Sequence, residues 1–111
     1  MIERKELGRI AAAAFGLGGY DDAMIGLSLT FESNGWSVNH FDGFWSSERN
    51  PNARWTEEER LLNFGAVVTR LSGLLRSART KDVADLVGTP VEITFVGDSL
   101  ESFRILTEVL P

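Results

Sequence analysis

Between Met24 and Phe44 the chain reads "MIGLSLTFESNGWSVNHFDGF", and no other segment constrains the fold as tightly. Ile25, Leu27, Leu29 and Phe31 alternate with Met24, Gly26, Ser28 and Thr30, the period of two of a strand with one buried face. Asn34-Gly35 then marks a two-residue hairpin, predicted as a type I′ turn with positive φ at both positions. Pairing Ser33 with Trp36 sets Phe31 beside Val38 and Leu29 beside His40, so a third strand runs over Trp36–Phe44. The second strand needs another neighbour, and the preceding run is the nearest. Arg9–Leu17 is therefore expected as a strand, although its four consecutive alanines favour a helix. "GLGGYDD" falls at the tip joining the first two strands.

"TEEERLLNFGAVVTRLSGLLRSART" carries a helical signature. Thr56 with Glu59 forms a capping box, and early glutamates suit the positive end of the helix dipole. Phe64, Val67, Val68, Leu71, Leu74, Leu75 and Ala78 make an apolar stripe at helical spacing. Thr80 is expected to cap a second short helix over Lys81–Val87, closed by Gly88. "PVEITF" and "LESFRILTEVL" read as strands joined at Gly97-Asp98, with Val91, Ile93, Phe95, Phe103, Ile105 and Val109 facing the core. The predicted order is β-β-β-α-α-β-β. This is an α+β fold with a single antiparallel sheet of about five strands and one long amphipathic helix packed on one face.

With 111 residues the chain is expected to be one complete domain over residues 1–111. It has no cysteine, which removes disulfides, thiolate metal sites and a cysteine nucleophile, and suits a cytoplasmic protein. The N-terminus lacks a signal-peptide apolar run, and no stretch approaches the roughly 20 apolar residues of a membrane helix. A net charge of −5 argues against nucleic acid as a partner. Acidic residues never form a run, so a nucleic-acid mimic is also disfavoured.

"FGLGGYDDAM" is not a phosphate cradle, because a strand rather than a helix follows the glycines and two aspartates stand where an anion would arrive. Asp21 and Asp22 read as a turn, whereas Tyr20 is a recognition candidate. Trp36, Phe41, Phe44, Trp45 and Trp55 concentrate aromatic surface suited to stacking on a planar ligand or filling a partner's pocket. His40 is the only histidine, without ligands at metal spacing or a triad motif, so neither a metal nor a cofactor is expected. Arg49, Arg54, Arg76, Arg79 and Arg104 are able to meet an anion. The predicted binding residues are Tyr20, Asp22, Trp36, Phe44, Trp45, Arg49 and Arg54, gathered at one rim of the sheet. Leu100, Leu106, Trp45 and Phe41 are expected on the uncovered sheet face, where they would support a homo-oligomer.

The Gly18-Gly19-Tyr20 turn with Asp22-Ala23, the Gly35-Trp36 hairpin and the Gly88-Thr89-Pro90-Val91 strand entry carry a resemblance. Over about residues 9–110 the chain resembles a group of small proteins of tailed bacteriophages and prophages. The resemblance implies a phage accessory protein acting in the bacterial cytoplasm, and it carries no site residues. The function expected is non-enzymatic sequestration of a small nucleotide-type immune signal. An anti-CRISPR-like inhibitor of a host or defence protein is the alternative, and a small hydrolase the weaker one.

Overall fold

The computed structural model describes residues 2–47 and 53–111. It is an α+β fold with one antiparallel sheet. The strands are β1 (Glu3–Gly18), β2 (Met24–Ser33), β3 (Trp36–Trp45), β4 (Pro90–Val96) and β5 (Ser99–Ile105), with helix α1 (Glu57–Ala78) between β3 and β4. They lie in the order β3-β2-β1-β4-β5. The β2–β3 register is the predicted one, with Ser33 opposite Trp36, Phe31 opposite Val38 and Leu29 opposite His40. The turn differs from expectation. Only Gly35 takes a positive φ, 88°, and Asn34 does not, which matches the φ signs of type II rather than type I′.

β1 is 16 residues long and starts well before Arg9. Its polar opening "ERKELGR" hides a strand because that half pairs with β4, Glu3–Arg9 running against Val96–Pro90. The other half pairs with β2, from Arg9 opposite Glu32 to Gly18 opposite Met24. Between Ile10 and Ala12 the register shifts, leaving Ala11 as a bulge. A bulge bends its strand and raises local twist. The sheet accordingly curls: the rings of Phe31 on β2 and Phe103 on β5 come within 4.7 Å, although β1 and β4 lie between those strands.

Ile10, Leu27, Leu29, Phe31, Val91, Ile93, Phe95 and Ile105 form the core, closed by Ala78 of α1 and by Leu86. The helix begins as predicted, the Glu59 N–H donating to Thr56 Oγ1 at 3.0 Å. Leu71, Leu74 and Leu75 pack against the core, and Val67 and Ala78 are buried. Val68 does not join them and is 58% exposed, because it lies about 100° around the helix from Val67, at the edge of the apolar stripe.

Three further expectations are corrected. In place of a helix over Lys81–Val87 there is one 3-10 turn, Val83–Leu86, and Asp82 rather than Thr80 caps it through the Ala84 N–H. The chain has no room for more, since the Gly88 N–H already donates to the Ile10 carbonyl at 2.7 Å and Pro90 opens β4. The last strand stops at Ile105, and Val109 is exposed in a 3-10 turn over Thr107–Val109 instead of facing the core. Leu100 faces the core, not the outer surface: the register passes from Thr94–Ser102 to Phe95–Leu100, skipping Glu101 and turning Leu100 to Phe95's side. Phe41, Trp45 and Leu106 are all half-buried, so among the described residues they do not make the exposed apolar face expected of them.

Candidate functional site

The curled sheet and the helix enclose a cleft. α1 runs along β3 in the opposite direction: Arg60 Nη1 donates to the Ser46 carbonyl near one end of the strand, and Arg70 meets Asp42 further along it. The Arg70–Asp42 contact is bidentate, at 2.8 and 2.7 Å, and hydrogen bonding to Asp42 holds the Arg70 guanidinium pKa above its usual value. Opposite this clamp, β5 returns over β2. Leu27 and Leu29 form the floor, Leu71 and Leu74 line the helix side, and Phe103 lines the β5 side. The space measures about 470 Å³, the size of a small-molecule pocket.

His40 also lines the cleft, together with the polar side chains of Asp42, Arg70, Ser77 and Arg104. Its ring lies edge-on to Phe103 at 5.5 Å and tilted to Phe31 at 6.5 Å. Burial pushes its pKa below 6.5, with Asp42 raising it and Arg70 lowering it by smaller amounts. The imidazole is therefore neutral at pH 7, with one donor and one acceptor nitrogen. Among the described residues neither nitrogen has a hydrogen-bond partner, and Arg70 Nη1 has none either. Arg104, at the β5 side, is committed to Glu92 and to a bidentate pair with Glu108.

The predicted rim is partly assembled. Tyr20–Asp22 form a tight turn with Asp21 and Asp22 at φ 52° and 53°, and Tyr20 stands 74% exposed. Ser46 ties this tip to the end of β3 by donating from its N–H and Oγ to the Ala23 carbonyl, both at 2.9 Å. Trp45, opposite Met24, stacks on Trp55 at 6.4 Å, and Phe44 meets Trp55 edge-on at 6.0 Å. Arg54 is exposed beside Trp55. Arg49 lies outside the described residues.

Trp36 is not at this rim. It begins β3 at the far end and packs edge-on against Phe95 at 5.5 Å. Gly8 makes the room, since a Cβ there would lie 3.0 Å from the indole and 2.7 Å from the Glu32 carbonyl oxygen. In the sequence Asp42 is an acid near His40 with no motif to support it, and Arg70 and Phe103 carry no site signal at all. His40 and Asp42 share the inward face by alternation, but nothing local announces that Arg70 and Phe103 meet them.

Among the described residues no group of three or more His, Cys, Asp or Glu side chains is placed to hold a metal ion. No described helix is long and apolar enough to cross a membrane. Comparison with protein-family models, curated proteins and solved structures found no match.

Proposed function

We propose that the protein binds and sequesters a small planar ligand of nucleotide type in the cleft between α1, β3 and β5. The observation that supports this reading is the neutral imidazole of His40, without a hydrogen-bond partner among the described residues, in a cleft with an apolar floor whose wall it shares with Asp42, Arg70, Ser77 and Arg104. A planar ring has leucine faces and the Phe103 ring to pack against, and its polar edge finds both a donor and an acceptor on His40. An anionic group extending from it meets Arg70 Nη1, the part of that guanidinium not engaged by Asp42. Taken with the resemblance to phage proteins, the reading is a phage accessory protein acting in the bacterial cytoplasm. It withdraws a nucleotide-type defence signal by binding and not by turnover.

A second reading has its own observation. Tyr20 is exposed on the tip that Ser46 ties to the end of β3, where Trp45 stacks on Trp55, a rim suited to docking on a host or defence protein. One experiment separates the two. In a thermal-shift panel of mono- and cyclic nucleotides, a cleft ligand at about 100 times its Kd adds about 2.7 kcal/mol of stability. Leu74→Trp, which fills the cleft, should erase that shift, whereas Tyr20→Ala should leave it unchanged. No shift with any nucleotide, or a shift that survives Leu74→Trp, overturns the cleft reading.

A further inference from the structure

We propose that the chain forms a twofold dimer by pairing the open edge of β1, over residues 12–18, with the same edge of a second copy. The hydrogen-bond pattern identifies that edge. The Ile10 N–H donates to the Thr89 carbonyl at 3.0 Å, and its own carbonyl accepts from Gly88, so both groups point away from β2. Its pair with Phe31 is thus of the non-hydrogen-bonded kind, which recurs every second residue along an antiparallel ladder. On β2 it recurs at Leu29, Leu27 and Ile25, whose partners are Ala13, Phe15 and Leu17. The N–H and C=O groups of those three residues face outward. β4 stops pairing with β1 at Arg9, so among the described residues no strand meets them.

Sequence and shape favour a second copy as the occupant. From Ile10 to Tyr20 the chain carries no charge, within a protein of net charge −5. Open edges are ordinarily blunted by charge or proline, and the other unpaired stretch of β1, around Glu3 and Lys5, is blunted in this way. The open edge is also self-complementary. Antiparallel pairing centred on Phe15 sets small Ala13 opposite large Leu17 on each side and forms about six main-chain hydrogen bonds. It covers Phe15 and Leu17, which are 44% and 67% exposed in the single chain. The radius of gyration is 15.2 Å, against about 13 Å for a compact domain of this length. The single chain is extended, as expected of one half of a continuous sheet.

The test combines sedimentation velocity with amide hydrogen exchange on the wild-type protein. The expected result is a concentration-dependent dimer in which the Ala13, Phe15 and Leu17 amides exchange about tenfold more slowly at high concentration than at low. Phe15→Lys should give a folded monomer, and Leu62→Lys, on the exposed face of α1, should remain dimeric. A wild-type monomer at high micromolar concentration overturns the proposal, as does a dimer whose three edge amides exchange equally fast at both concentrations. The exchange readout uses the unaltered chain, so it decides the matter even if Phe15→Lys fails to fold. Its outcome is independent of nucleotide binding.

Discussion

His40 shows how one position joins stability to the site. Burial holds it neutral, so its folded pKa lies below the ordinary 6.5 it regains on unfolding. Between those two values the unfolded chain binds more protons than the folded one, and stability rises with pH across that window. We expect the contribution of neutral His40 to be complete above about pH 6.5 and to decline as the pH falls below it. His40→Gln should flatten this dependence. Urea titrations of both proteins between about pH 5 and 7 provide the check, and parallel curves would assign the slope to other groups. The sequence showed His40 as a lone histidine on the inward face of a strand. Its role was not legible there, because it depends on Phe103, 63 residues away by number (103 − 40), and on a helix that leans on Asp42.

At the scale of elements, legibility follows how local the deciding interaction is. The β2–β3 register was readable because alternation and a two-residue turn fix it within some twenty residues. The start of α1 was readable because Thr56 and Glu59 cap it through a bond spanning three residues. Removing that cap with Thr56→Ala should cost about 1 kcal/mol, measured as a lower urea midpoint at unchanged m-value. The polar half of β1 and the 3-10 turn at Val83–Leu86 were not readable. Each owes its conformation to a distant partner, β4 in the first case and the Ile10 carbonyl in the second. The rim was half legible: the hairpin brought Tyr20 and Trp45 to one end of the sheet, but Trp36 starts β3 and so lies at the other.

On the scale of the whole molecule, we expect one residue to govern how the sheet closes. Ala11 is the extra residue in β1, placed where the strand passes from β4 to β2. Ile10 opposes Phe31 and Ala13 opposes Leu29, so the chain turns inward at both only because Ala11 is inserted between them. Removing it leaves Ile10, Ala12 and Ala13 in regular alternation, with every side chain on its original face. What is lost is the bend that carries β5 over β2 and brings Phe103 to Phe31 and His40. Deletion of Ala11 should therefore spare both hairpins yet open the cleft, costing about 2–3 kcal/mol, as the loss of a half-buried aromatic contact does. Ala11→Ser, which keeps the bulge, should melt within about 0.5 kcal/mol of wild type. Urea midpoints, with Phe103 ring proton shifts as the local reporter, distinguish the cases. If the deletion matches wild type in both, the curl of the sheet comes from side-chain packing alone, and the bulge is not its cause.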